Sequence, residues 1–194
     1  MNSALVVIDV QESFRKLPDW EFVSQPDIVS QVDRLVAAAR AQDDLVIWVL
    51  HSRPGAGTVF DPARGHVRLM DGLEPLGDEP LITKSAHNAF TTTNLHQTLT
   101  ARGVRRLTVC GIRTEQCCET TARIACDLGF DVVFVTDATA TTPIPHRDAP
   151  QDLPFSQLVS DPRTLGVVDV VARTEYALAG RFAAIRTVGE LAGA

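Results

Sequence analysis

The sequence predicts an α/β protein: a three-layer α/β/α domain on a mostly parallel, Rossmann-like six-stranded sheet. Three observations carry that expectation. Short runs rich in Val and Ile alternate with longer stretches of helical period, the pattern of βα units. The first run, "ALVVIDV", is apolar almost throughout rather than at every second residue, as a strand covered on both faces must be. Finally, 194 residues, 45% apolar and 22% charged, suffice for one sizeable core and are few for two, so a single domain over 1–194 is expected.

The elements follow in order. Residues 4–10 form the first strand. After Pro26 and Asp27, the apolar residues Ile28, Val32, Leu35, Val36 and Ala39 keep helical spacing, predicting a helix over 27–42. "LVIWVL" (45–50), "PLITK" (80–84), "RLTVCG" (106–111) and "FDVVFVTDA" (130–138) read as strands two to five. Helices over 93–102 and 115–128 separate the last three. The Gly- and Pro-bearing stretches 53–80 and 139–162 are long loops, of a length that compact domains use for lids, interface arms or disordered segments. In the tail, Val168, Val171, Ala172, Tyr176 and Ala179 predict a helix, followed by a short sixth strand at 182–186.

Composition excludes some partners. A net charge of -6 and a pI near 5.3, with no cluster of Lys or Arg, offer no footprint for nucleic acid or an acidic membrane surface. No apolar run reaches the roughly 18 residues of a membrane span, and "MNSALVVIDVQESF" lacks the charged lead and cleavage site of a signal peptide. A cytoplasmic location is expected. The four cysteines, 110, 117, 118 and 126, are bunched rather than spaced as a disulfide framework, and are read as free thiols. Of 18 basic residues only Lys16 and Lys84 are lysines, so each raises the question of why Arg would not serve.

In open parallel sheets the ligand crevice lies beyond the carboxyl ends of the strands, where strand order reverses. Asp9 ends strand one, Lys84 ends strand three, and Cys117 and Cys118 follow strand four. An acid, an amine and a thiol can therefore meet at one rim. With Thr114 as N-cap, Cys117 takes the third helical position, where the helix N-terminus and a nearby Lys84 ammonium are expected to depress its thiol pKa. Asp9 can accept the thiol proton and return it to a leaving amine, and the turn "GIRTEQC" can aim backbone N–H groups at an oxyanion. Each residue also has a plainer reading: a cysteine packed in a core, an aspartate capping a turn, a solvated lysine. Periodicity does not choose between the thiols, since Cys118 leads a stripe with Ala122 and Ala125, and Cys117 one with Thr121, Ile124 and Leu128. Adjacent cysteines match neither the C-x-x-C redox spacing nor a zinc-ligand spacing.

Three motifs together carry a resemblance. "LVVIDVQESF" resembles the opening D-x-Q-x-x-F of the isochorismatase-like cysteine hydrolases, the relatives of nicotinamidase and N-carbamoylsarcosine amidase; "ITKSAHNAFTTTNL" resembles their lysine segment, and "VCGIRTEQCCETTARIACDLGFDVVFVTDA" their nucleophile segment. The match runs in register over roughly 4–138. The resemblance implies Asp9, Lys84 and Cys117 as catalytic residues, with Cys118 in packing. It further implies a cis peptide at Ile112–Arg113 and an oxyanion hole formed by the N–H groups of Arg113 and Cys117. The activity it implies is thioester-mediated hydrolysis of a small-molecule amide or carbamoyl-type C–N bond, with no cofactor, in a homodimer or homotetramer.

Departures from the pattern matter as well. "WVLHSRPG" keeps only His51 of the Asp-x-His metal site of nicotinamidases, with Val49 two residues before it, so no metal is expected. Retention of Cys117 favours C–N hydrolysis over the vinyl-ether cleavage of isochorismatases. Phe14, Phe90, His87 and Arg113 are the expected substrate contacts, with His66 and the 53–66 loop nearby; Arg113 either binds a substrate carboxylate or turns into a structural ion pair. The rivals are an isochorismate-type ether hydrolase, a non-catalytic ligand-binding module and a thiol redox protein.

Overall fold

The computed structural model describes residues 2–150 and 152–193. Six strands, β1 (Ser3–Ile8), β2 (Leu45–His51), β3 (Leu81–Lys84), β4 (Arg106–Ile112), β5 (Asp131–Ala140) and β6 (Ala184–Arg186), form one sheet in the order β3-β2-β1-β4-β5-β6. Every neighbouring pair is parallel. The chain thus winds outward from β1 to β3, returns to the other side of β1 as β4, and winds outward again. Order reverses between β1 and β4, which makes their carboxyl ends the crevice.

Helices cover both faces: α1 (Glu12–Arg15), α2 (Ile28–Ala41), α3 (Leu95–Ala101), α4 (Glu119–Asp127), α5 (Phe155–Val159), α6 (Val167–Leu178) and α7 (Val188–Ala192). Alternation along β1 explains the double cover. Leu5 and Val7 join Val46 and Trp48 under the Ile28, Val32, Leu35 and Val36 stripe of α2, while Ala4, Val6 and Ile8 pack with Leu95 and Leu99 of α3 and Ala122 and Ala125 of α4. Glu119 fastens α4 to α6. Its buried carboxylate accepts from Thr174 at 2.9 Å, from Arg123 at 2.9 and 3.0 Å, and from Arg173.

The predicted strands and long helices are present within about two residues, with instructive differences. β1 stops at Ile8 because Asp9 turns to φ 55°. The helix expected over 115–128 is two pieces, a π-helical turn Thr114–Cys118 running into α4. Thr114 is not its N-cap: Arg113 holds that place in extended conformation, and the Thr114 hydroxyl donates to Thr139 Oγ1 at 2.9 Å. The short α5 and the 3-10 turn Pro62–Arg64 lie in the two expected loops, while α1, α7 and the 3-10 turn Trp20–Phe22 lie where no element was expected. α7 carries a capping box between Thr187 and Glu190. No helix among the described residues is long and apolar enough to cross a membrane.

Candidate active site

Three strand ends deliver three reactive groups to one spot. Asp9 follows β1, Lys84 closes β3, and Cys117 sits in the π-helical turn after β4. β3 and β1 are two strand spacings apart, about 10 Å, so Lys84 must reach across the end of β2. Its Nζ lies 2.8 Å from Asp9 Oδ2, 3.4 Å from Cys117 Sγ and 3.1 Å from the Ala86 carbonyl. Both side chains of the ion pair are 0% exposed. The contact is off the line of an ideal hydrogen bond, and the Asp9 oxygens have no other partner among the described residues than the ammonium and the thiol that face them.

Burial dominates the electrostatics. It pushes the Asp9 carboxyl up to about 6, against the pull of the Lys84 charge. Burial first, and the Asp9 charge second, push the Cys117 thiol up to about 12, again against Lys84. The expected depression of the thiol is therefore corrected. At 6% exposure, loss of water outweighs the nearby ammonium, and the thiol stands at the fourth rather than the third position of its helical turn. Near neutral pH the site holds a neutral thiol beside an ionised carboxylate and an ammonium.

The backbone around this spot is closely fitted. The Ile112–Arg113 peptide is cis, as the resemblance implied. Gly111 has φ 129°, and a Cβ there would stand 1.9 Å from the Ile8 carbonyl oxygen, so only glycine lets β4 pass β1 at the crevice. The Gln11 side chain fixes the end of β2, its Nε2 donating to the His51 carbonyl at 3.0 Å and its Oε1 accepting the His51 N–H at 2.7 Å. His51 is held neutral, its pKa lowered to about 4 by burial and the Lys84 charge. Its Nε2 faces Arg53 Nε at 3.3 Å, and its Nδ1 faces the Lys84 ammonium at 3.4 Å and the Ala86 carbonyl.

A cavity of about 350 Å³ opens on Cys117 and Asp9. Its apolar wall is Phe14, Leu17 and Phe60, with the two rings edge to face at 5.1 Å. Its polar side is His51, His87, Arg53, Arg113 and Gln116. Of the expected contacts, Phe14, His87 and Arg113 line the cavity. Phe90 does not; it stacks on Phe130 at 6.3 Å in the core beneath α3 and α4. His66 is not among the lining residues and meets the site only through its carbonyl, which accepts from Ser13 Oγ at 2.9 Å. Arg113 takes the structural alternative, paired to Asp19 at 2.5 Å and bonded to Thr142, with its guanidinium 5.8 Å above the Phe14 ring. Cys118 is 0% exposed and packs with Ala122 and Ala125. Among the described residues no three His, Cys, Asp or Glu side chains gather as a metal site.

Sequence reasoning pointed to the 53–66 loop without singling out Arg53 and Phe60, held Gln11 only as a letter of the first motif, and missed the parts played by Leu17, Gln116 and Gly111. A glycine inside the strand pattern "RLTVCG" was the one signal available, since it marks a close backbone approach.

Residues 3–153 match the model of the isochorismatase domain. The chain belongs to the isochorismatase family. Among isochorismatase-family relatives, a streptothricin hydrolase of Streptomyces noursei is 35% identical over 183 residues, spanning 93% of this chain and 71% of its own. Nicotinamidase 3 of Arabidopsis thaliana is 31% identical over 153 residues, 72% of this chain and 73% of its own. A crystal structure of a cysteine hydrolase from Pseudomonas syringae pv. phaseolicola 1448A matches with a TM-score of 0.84 at 25% identity, covering 98% of this chain and 91% of that one.

Proposed function

We propose that this isochorismatase-family protein is a cysteine-dependent hydrolase of a small-molecule amide or carbamoyl-type C–N bond, acting through a thioester. The observation that carries the proposal is the buried Lys84 ammonium between an acid and a thiol, 2.8 Å from Asp9 and 3.4 Å from Cys117, behind the Asp9 and Cys117 wall of a cavity sized for a small molecule. Relatives named as hydrolases of streptothricin and as nicotinamidase support the C–N class.

The raised Asp9 suits it to the work. As the thiol approaches a carbonyl carbon, its proton passes to Asp9 and the C–S bond forms, and the oxyanion rests on the N–H groups of Arg113 and Cys117. The C–N bond breaks as the amine takes the proton from Asp9. Water then adds to the thioester with Asp9 again as base, the C–S bond breaks, and the sulfur recovers its proton. Lys84 offsets negative charge first on Asp9 and then on the sulfur, so the buried site never holds an uncompensated anion. No step calls for a metal or an organic cofactor.

The test is a panel of small amides, ureido compounds and an isochorismate-type vinyl ether, assayed with the native protein and Cys117→Ala. Amide turnover is expected to fall by about a thousandfold or more in the variant, and acid quenching of the native reaction should leave an acyl mass on the Cys117 peptide. Equal amide turnover in Cys117→Ala would remove the thiol from the mechanism, and activity confined to the ether would favour that rival.

A further inference from the structure

The charges facing the cavity do not balance, and the residue responsible is one that neither the motifs nor the triad account for. Asp9 is matched by Lys84, and Arg113 by Asp19. His51 is neutral. Arg53 is left over: it lines the cavity from the solvent-exposed side, and among the described residues no carboxylate is within ion-pair distance of it.

Its placement is built rather than incidental. The Nε–H is spent on His51 Nε2 at 3.3 Å, which orients the fork and leaves the terminal N–H groups free to receive a ligand. The Arg53 backbone N–H donates to the Phe60 carbonyl at 2.8 Å, closing the neck of the 53–60 loop and setting Arg53 beside the aromatic wall. The one acid of that loop region, Asp61, is turned away: its carboxylate accepts from Gly57 N at 2.9 Å and Ala63 N at 3.1 Å. The loop thus neutralises its own acid with backbone N–H groups and presents the guanidinium alone.

Resting on the hydrolase reading of this site, we infer that the substrate carries a carboxylate, received by Arg53 while its amide carbon meets Cys117. One unpaired positive charge matches one negative charge, and the planar fork matches two carboxylate oxygens. Arg113 can answer only by surrendering Asp19, so the anion-selecting role falls to Arg53.

The test compares iodoacetate with iodoacetamide at Cys117. In both, sulfur displaces iodide from the same carbon and releases its proton; they differ only in carrying a carboxylate or a neutral amide. Peptide mass spectrometry gives the ratio of the two rates at Cys117, with the part-exposed Cys126 as internal reference. In Arg53→Gln the iodoacetate-to-iodoacetamide ratio at Cys117 is expected to fall about ten- to a hundredfold, the range of one charge-assisted hydrogen bond. A ratio unchanged within about twofold overturns the carboxylate site. Labelling by both reagents is slow for a thiol held protonated, and the ratio remains measurable over hours at alkaline pH; failure of the hydrolase reading is read separately, as equal amide turnover in the native protein and Cys117→Ala, so the two failures are told apart.

Discussion

Asp9 must surrender its proton to be a base and hold one to be an acid, and a carboxyl with an ordinary pKa would do only the first near neutrality. Burial moves it up to about 6, while the Cys117 thiol moves up to about 12. The two groups share one transferable proton, so the pH dependence belongs to the pair. The competent form has Asp9 ionised and the thiol protonated, and kcat/KM is therefore expected to rise with pH along an acidic limb near pH 6 and to show no loss from thiol ionisation before strong alkali. A profile flat down to pH 5 would contradict the assignment. Asp9 and Lys84 were legible because each ends an apolar run, where a parallel sheet must place its ligand crevice, whereas Cys117 was preferred to Cys118 only through the family resemblance. The sign of the thiol shift was not, because a sequence names charged neighbours and leaves unstated how much water they lose. Arg53 was hidden for a related reason: the loop it opens was expected to matter, but which of its residues matters depends on which acids fold toward it.

At the scale of elements, the site rests on the crossing of β4 past β1. Gly111, at φ 129° with no room for a Cβ, is the contact point. Gly111→Ala is expected to cost at least about 3 kcal/mol, from backbone strain together with a clash that no side-chain rotation relieves. Urea unfolding of the variant measures the loss, and near-native stability would show that β4 can shift at the crevice. Long elements were readable from periodicity: α2 buries the residues its 3.6 pattern marks, and β1 and β2 are buried along nearly their whole length. The short α1, α5 and α7 were not, since four or five residues span little more than one turn and owe their form to tertiary contacts. The division of the predicted 115–128 helix was equally invisible. Its side-chain period is nearly continuous, and the π-helical turn is set by where the chain must leave β4.

For the whole molecule, the buried Asp9 carboxylate is a stability cost borne by the rest of the fold. An acid whose folded pKa is raised above its unfolded value of 3.8 binds its proton more tightly in the native state, so its contribution to stability falls as pH rises from about 4 through about 6. Asparagine imitates the protonated form. Asp9→Asn is therefore expected to match the native protein near pH 4 and to exceed it above pH 7, by up to about 3 kcal/mol, or roughly 2–4 °C in melting temperature per kcal/mol. Thermal unfolding of both proteins across that pH range reads the gap, and a variant less stable at every pH would mean that the Lys84 pair, rather than burial, governs Asp9. Strand order carries a further consequence, one for biosynthesis. β1 leaves the ribosome before the other strands of its sheet and lies inside that sheet, yet its second edge stays open until β4, residues 106–112, has emerged. A nascent chain holding β1 to β3 exposes a long apolar strand edge for seconds of elongation, a period when chaperones or neighbouring nascent chains can reach it. The Cys117 thiol follows that strand in the chain, so it emerges only after the open edge has its partner.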